Sequence, residues 1–298
     1  MSSTVLPKVS ILLPIWNEQS YIADCLRSIF LQDYPHEKME ILIADGNSTD
    51  ETLSIINMVS LESEIPISVL NNPHGIVPTG LNILFLIVKG EIIIRVDGHT
   101  VLSTDYVRQC VMALEFTGVD NVGGRMRAIG TTAFGRAVVE ATSHPFGIGN
   151  SKFHYSDKLE DVDTVYLGAW PKRVFEKIGL FDEELVRNQD DEFNYRIREA
   201  GGQILLHPSI KSLYTVRSTP EALWKQYYQY GYWKVRVLQK HPRQMSLRQF
   251  IPPVFALSIF ISLLLTLFFP WGWFPLTIIL GLYIVVNLGF SISLAFKQ

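Results

Sequence analysis

Between Phe250 and Phe296 the chain contains no Asp, Glu, Lys or Arg, and Lys297 is the only charge after Arg248. The other 54 of its 55 charged residues fall in the first 249 positions. They make up about 22% of that stretch, close to the level of soluble domains. The sequence thus divides into a soluble portion and an apolar tail. Cysteine is nearly absent: Cys25 and Cys110 are the whole supply. Two cysteines exclude a disulfide framework or a cysteine-based zinc site and point to a reduced compartment. There is no excess of positive charge, since the net charge is -3. A duplex-binding protein would show a basic field, so no nucleic-acid partner is expected. The chain also lacks G-x-G-x-x-G, Walker A, G-x-S-x-G and H-E-x-x-H patterns, which argues against dehydrogenase, ATPase, serine hydrolase and zincin chemistry. No internal repeat or low-complexity run occurs. The opening MSSTVLPKVSILLP has no basic segment followed by a long apolar core, so no signal peptide is expected.

What is present alternates. Residues 9–13 (VSILL) read as a buried strand bounded by Pro14, and residues 20–31 carry Ile22, Leu26, Ile29 and Phe30 at helical spacing. MEILIA (39–44) is a second strand. It stops at DGNSTDET, where Ser48, Thr49 and Asp50 can each cap a helix through Leu53, Ile56 and Val59. A strand at 67–70, a helix at 79–89 and a strand at 91–96 (EIIIRV) follow. This spacing predicts βαβ units and a mostly parallel sheet, with ligands beyond the carboxyl ends of its strands. Further strands are expected at 121–128, 163–169 and 203–207, and helices at 171–178 and 190–200. The Gly-rich HPFGIGNS is read as a loop.

Residues 220–240 predict a long amphipathic helix broken at Gly231, with six aromatics among the ten positions 224–233. Its face is either packed core or an interface helix, with Trp and Tyr at headgroup depth and Lys225, Lys234 and Arg236 near anionic lipid. Two apolar segments, 253–269 and 274–296, flank the turn PWGWFP. They are near the length needed to cross a bilayer, and Trp271 and Trp273 suit an interfacial belt. With Lys240, Arg243 and Arg248 before them and Lys297 after, the positive-inside rule puts both ends in the cytoplasm. A buried helical hairpin is the alternative. The expected domains are 1–219 (catalytic), 220–249 (interface helix) and 250–298 (two transmembrane helices).

Three acidic clusters sit at loop positions. Asp45 can cap the next helix or accept a hydrogen bond from a nucleobase, with Asn17 and Glu18 helping from the adjacent strand end. Asp97-Gly98-His99 is either an ordinary turn or a carboxylate and imidazole able to hold one divalent ion. In Asn188-Gln189-Asp190-Asp191-Glu192 the acids favour a helix start, and one of them can serve as a general base. Successive helix positions point about 100° apart, so at most one or two can face a common pocket. His144, His154 and His207 are read as structural or surface residues.

Taken in order, SILLPIWNE, ILIADGNSTDET, IIIRVDGHT and GLFDEELVRNQDDEFNYRIREAGGQI resemble glycosyltransferase family 2. Within it they look most like the bacterial succinoglycan-biosynthesis glucosyltransferase subgroup. The resemblance spans nearly the whole chain, apolar tail included. It implies a GT-A (nucleotide-diphospho-sugar transferase) fold of the α/β class with a C-terminal transmembrane hairpin, an inverting mechanism and a nucleotide-diphosphate sugar donor. By that resemblance Pro14, Asn17, Glu18, Asp45, Asn47 and Asn82 contact the nucleotide sugar, and Ser48 lies in the Asp45 loop. Asp97 matches the first acid of the DXD motif, while His99 stands in place of the second. Asp97 and His99 are then the metal residues, with Mn²⁺ or Mg²⁺ as the cofactor; imidazole suits Mn²⁺ better. Asp190 matches the base of the family's ED motif, with Asp191 the nearest competitor and Gln189 in place of the Glu. Gly168, Ala169, Trp170, Gln229 and Trp233 are assigned to the acceptor and sugar pocket. QYGYW (229–233) has the spacing of the QxxRW motif of processive synthases, with Tyr232 where the Arg would stand.

The expected function is transfer of a hexose, from a UDP-hexose before other donors, to a hydroxyl of a lipid-linked or growing glycan. This belongs to exopolysaccharide or cell-surface polysaccharide synthesis at the inner membrane, with the catalytic domain cytoplasmic. The alternatives are a processive membrane synthase and a catalytically silent glycan- or nucleotide-binding membrane protein.

Overall fold

The apolar runs read from the sequence become the central strands of one sheet. In the computed structural model, which describes residues 6–244 and 247–296, the chain forms two compact units, Met1–Val237 and Leu238–Gln298. The readings that rest on MSSTV, Lys297 and Gln298 lie outside the described residues. The first unit begins β1 (Val9–Ile15), α1 (Ile22–Phe30), β2 (Met39–Asp45), α2 (Thr52–Val59), β3 (Ile67–Asn71), α3 (Val77–Phe85), β4 (Ile92–Arg95). It continues β5 (Thr100–Leu102), α4 (Tyr106–Thr117), β6 (Asn121–Ile129), α5 (Ala133–Thr142), α6 (Pro145–Ile148), β7 (Glu160–Asp161), β8 (Tyr166–Pro171) and α7 (Arg173–Ile178). It closes with α8 (Gln189–Glu199), β9 (Ile204–Thr215) and α9 (Pro220–Lys240), whose last turn enters the second unit.

The strand order is β3-β2-β1-β4-β8-β6-β9-β5, with β7 on β9. β3, β2, β1 and β4 are mutually parallel; β8 is antiparallel to both β4 and β6, and β9 is parallel to β6. Six of the nine described strands therefore run one way, with β5, β7 and β8 opposed. The expected mostly parallel α/β sheet is present. Side chains alternate across it as the two-residue period requires. Ile11, Leu13, Ile41 and Ile43 pack with Ile22, Leu26 and Ile56 on one face. Leu12, Leu42 and Ile93 pack with Leu81, Leu84 and Phe193 on the other. Burial on both faces explains why these strands are continuous apolar runs.

Elements missing from the sequence reading begin after β4, with the short β5. The helices α4 and α5 were not expected, and α6 is one helical turn inside HPFGIGNS. The last strand also runs past its expected end at His207, through Pro208, to Thr215. The pairing of β6 with β9 jumps from Gly124↔His207 to Arg125↔Lys211, so residues 208–210 bulge out of the ladder. A proline, which has no N–H to donate, fits there. The bulge folds onto Gly124, where a Cβ would meet the Ile210 carbonyl oxygen at 1.7 Å; no larger residue fits.

α9 is continuous through Gly231, contrary to the expected break. Glycine costs a helix only about 1 kcal/mol. Hydrogen bonds and an ion pair from α8 and its preceding loop hold α9 at Gln229, Tyr230 and Lys234.

The second unit holds α10 (Ile251–Phe268) and α11 (Trp273–Ala295), joined by a turn and packed through Phe255 and Tyr283. Both are long and apolar enough to cross a membrane, and they bury almost none of their own surface in the chain. That exposure argues against a buried soluble hairpin.

Candidate active site

The carboxyl ends of β1, β2 and β4 share one edge of the sheet, and their loops are laced together there. Asn17 leaves β1 with φ 53°, in the left-handed region that asparagine tolerates. Its N–H donates to Ser48 Oγ at 2.9 Å, and Thr49 N–H donates to its Oδ1 at 2.8 Å. Asn47, also left-handed, donates to the Pro73 carbonyl at 3.2 Å. Asp45 is buried, and its carboxylate accepts the Ser48 N–H in a turn rather than capping α2. Asp50 Oδ1 accepts Thr52 N–H at 3.1 Å as α2 begins, one position before the cap residue Glu51. Pro14 lies within β1, opposite Ala44 of β2.

The loop after β4 carries Asp97 and His99. Arg95, the lone charge in IIIRV, is buried and sends both Nε and Nη2 to Asp97 Oδ1 at 2.9 Å. His99 Nδ1 lies 2.8 Å from Glu18 Oε1, and Tyr214 and Tyr21 meet the imidazole edge-on. Burial works against a charged imidazole, but the bonded Glu18 and nearby Asp97 outweigh it and raise the His99 pKa, with Arg217 opposing them. Tyr166 donates to or accepts from Thr100 Oγ1 at 2.7 Å beside this loop.

The three acids of α8 part company as the 100° step demands. Glu192 is buried in a two-pronged pair with Arg196, which also donates to the Ile178 and Leu180 carbonyls. Asp191 pairs with Lys234 of α9 at 2.5 Å, which ties that lysine to α8. Asp190 remains, half-buried, its Oδ1 accepting Asp191 N–H at 2.9 Å. Desolvation raises its pKa; Arg95 pulls it down, while Asp191 and Asp97 push it up. The same guanidinium thus acts on Asp97 and Asp190, bringing the end of β4 and the start of α8 into one electrostatic unit. Because Asp191 is already committed to Lys234, Asp191→Asn is expected to keep turnover within about tenfold of wild type in a steady-state transfer assay.

Other expected site residues are placed differently. Asn82 donates to the Phe181 carbonyl and Glu183 Oε1 and accepts Phe181 N–H, all within 3.0 Å. It fastens the segment before α8, which leaves its amide committed to the fold rather than to a donor. Gly168 and Ala169 lie in β8 beside β4, but Trp170 is core, ringed by Phe175, Phe181 and Phe193. The indole folds beneath Gly168, where a Cβ would meet it at 2.3 Å; with φ +95° as well, this position requires glycine. Gln229 accepts from Arg187 at 3.3 Å, and Trp233 is half-buried against Tyr232. The sequence reading missed Arg95, Tyr166 and Arg217. A single arginine within an apolar strand was the signal for the first; the other two carry none.

Among the described residues no three His, Cys, Asp or Glu side chains converge on one point as a preassembled metal cage. The donor chemistry still fits an ion shared with a diphosphate. Both Arg95 nitrogens bond Asp97 Oδ1, and the Glu18 contact occupies His99 Nδ1. Asp97 Oδ2 and His99 Nε2 are the atoms left for a cation.

A parallel sheet with acids at its carboxyl edge, closed by an antiparallel β8 and a helix presenting a third acid, defines a GT-A glycosyltransferase. The glycosyl transferase family 2 profile matches residues 10–177, and the chain belongs to that family. It is 28% identical to the succinoglycan biosynthesis protein ExoA of Rhizobium meliloti, over all of this chain and 89% of that one. It is 30% identical to a dolichyl N-acetyl-α-D-glucosaminyl phosphate 3-β-D-2,3-diacetamido-2,3-dideoxy-β-D-glucuronosyltransferase of Methanococcus voltae, over 78% of this chain and 74% of that one. Among solved structures, the mannosyltransferase PcManGT of Pyrobaculum calidifontis, bound to GDP-Man and Mn²⁺, superposes with a TM-score of 0.64 at 19% identity. That match covers 98% of this chain and 81% of the other. Staphylococcus aureus TarS with UDP gives 0.55 at 20% identity, covering 73% of this chain and 62% of that one. The protein is a glycosyltransferase, and its relatives act in polysaccharide and glycan biosynthesis.

Proposed function

We propose that the protein transfers a hexose from a nucleotide-diphosphate sugar, with inversion, to a hydroxyl of a lipid-linked or growing glycan at the cytoplasmic face of the inner membrane. The observation that carries this reading is the set of acids at the carboxyl edge of the sheet: Asp45 after β2, Asp97 bonded to the buried Arg95 after β4, and Asp190 at the start of α8. Asp45 and the Asn17–Ser48 lacing form the nucleotide end of the same edge. Asp97 and His99 would hold a divalent ion, Mn²⁺ or Mg²⁺, which when bound offsets the charge of the departing diphosphate. Asp190 takes the acceptor hydroxyl's proton as the oxygen bonds to the anomeric carbon and the bond to the diphosphate breaks on the opposite face. The raised proton affinity of Asp190 suits a base working near neutrality.

Membrane attachment is supported by α10 and α11 and by α9. Trp224, Tyr228, Tyr232 and Val235 form one exposed stripe on α9 at helical spacing. Such a stripe, ahead of two apolar helices, suits the headgroup layer of a lipid surface. Tyr232, at the Arg position of QxxRW, lies on that outer stripe at 56% exposure. This favours a non-processive enzyme over a synthase.

The test is a screen of UDP- and GDP-sugars for donor hydrolysis and transfer by the full-length protein. Turnover is expected with one donor class, lost in EDTA and restored by Mn²⁺ or Mg²⁺. Hydrolysis of no donor would favour a silent binding protein, and EDTA-insensitive turnover would remove the metal from the scheme.

A further inference from the structure

We propose that Glu18 is a positioning residue for His99, the two forming a carboxylate–imidazole pair that presents Nε2 to the divalent ion where other DXD motifs use a second acid. The inference rests on the reading of Asp97 and His99 as the residues that hold the ion. It also moves Glu18 from the expected nucleotide contacts to the diphosphate end of the site.

Glu18 Oε1 and His99 Nδ1 are 2.8 Å apart, with side-chain exposures of 17% and 24%. A carboxylate oxygen accepts, so Nδ1 is the donor in this contact. The remaining ring nitrogen, Nε2, is then the one available to a cation. Histidines that bind metals are commonly oriented in this way by a carboxylate on the far nitrogen. The geometry is fixed from several sides. Glu18 N–H donates to Thr52 Oγ1 at 2.8 Å, and its carbonyl accepts from Tyr21 and Ile22 N–H at 2.9 Å as α1 begins. The Tyr214 ring lies 5.6 Å from the imidazole, edge to face.

Gly98 completes the arrangement. A Cβ at that position would lie 2.9 Å from Glu18 Cγ and 3.1 Å from Ile15 Cγ2. The glycine between Asp97 and His99 therefore lets the Glu18 side chain lie across the loop. Charge gives a second reason for the pair. Replacing an acid with an imidazole removes one negative charge from the site, and the Glu18 carboxylate bonded to the ring restores it.

The test uses the full-length protein in detergent and Mn²⁺ as the probe, with binding read from the loss of the free-Mn²⁺ electron paramagnetic resonance signal in the presence of UDP. Asp97→Asn sets the background. Glu18→Gln retains size, but its amide N–H can face Nδ1 and release the tautomer. It is expected to weaken Mn²⁺ binding about 10- to 100-fold. His99→Asp restores a two-acid motif, and in that background Glu18→Gln should change binding less than about threefold, because no imidazole remains to orient. Equal Mn²⁺ affinity in wild type and Glu18→Gln would overturn the proposal and leave the metal reading intact. So would the same loss from Glu18→Gln with and without His99, since that marks a general effect on charge or folding. Absence of Mn²⁺ binding by the wild type, at the level of Asp97→Asn, would overturn both.

Discussion

Asp190→Asn is expected to lower the turnover number roughly 10²- to 10⁴-fold, the range ascribed to a general base, while the Kd for donor nucleotide stays near wild type. The reason is the division of labour in α8. Glu192 is bound to Arg196 and Asp191 to Lys234, which leaves Asp190 as the acid of the three that acts with Arg95 and Asp97. Two further results should accompany the loss. Desolvation raises the Asp190 pKa, so the acid limb of the wild-type pH–rate profile should lie above the ordinary carboxylate range. The folded state also holds this proton more tightly than the unfolded chain does. Stability from Asp190 is then fully present below the unfolded value and is lost as pH rises through the folded one. Where it is ionised the carboxylate is a net cost to the fold, so Asp190→Asn should unfold at or above the wild-type temperature. Turnover within tenfold of wild type, or an equal loss in Asp191→Asn, would refute the assignment of the base.

Arg95→Met is expected to destabilise the first unit by about 3–5 kcal/mol, the cost of leaving a buried charge without its partner. The Arg95–Asp97 pair has side-chain exposures of 9% and 18%, so solvent can do little to replace the guanidinium. Asp190 loses the same cation. At roughly 2–4 °C per kcal/mol for a unit of this size, the midpoint in a thermal scan should fall by about 10 °C. Adding Asp97→Asn to Arg95→Met should recover part of the loss, because the stranded carboxylate is then gone. A single variant melting within about 2 °C of wild type would mean that Arg95 is dispensable. In that case, the electrostatic link between β4 and α8 would have to be abandoned.

The parts of the site that can be read along the chain are those fixed locally. VSILL, MEILIA and EIIIRV are strands because a strand covered on both faces is a short apolar run, and their polar successors must then lie beyond the carboxyl edge. Asp45, Asp97 and Asp190 are thus visible as acids at element ends. Helix α4 is also legible locally, since its buried Val107, Cys110, Val111 and Leu114 recur at i, i+3, i+4 and i+7, although no side-chain cap marks its start. Strand β9 extends past Pro208 only because β6 offers a partner with a glycine under the bulge. No local signal carries that.

Side-chain partnerships across the chain are a different matter. Asn82 meets Phe181 across 99 residues, Lys234 meets Asp191 across 43, and Glu18 meets His99 across 81. Each contact ties down a polar group that the sequence shows only as an isolated residue: the Asn82 amide, the Lys234 ammonium and the Glu18 carboxylate. Trp170 likewise enters the core because three phenylalanines from α7, the following loop and α8 close around it.

The sequence by itself determined the α/β sheet, its functional edge, the acids on that edge and the charge-free tail, because all of these follow from hydrophobic period and composition over short stretches. Tertiary structure decided which acids of α8 are tied to Arg196 and Lys234, which nitrogen of His99 meets Glu18, and which aromatics are core. Those depend on contacts between residues tens of positions apart, whose energies arise only once the sheet has brought them within hydrogen-bonding distance.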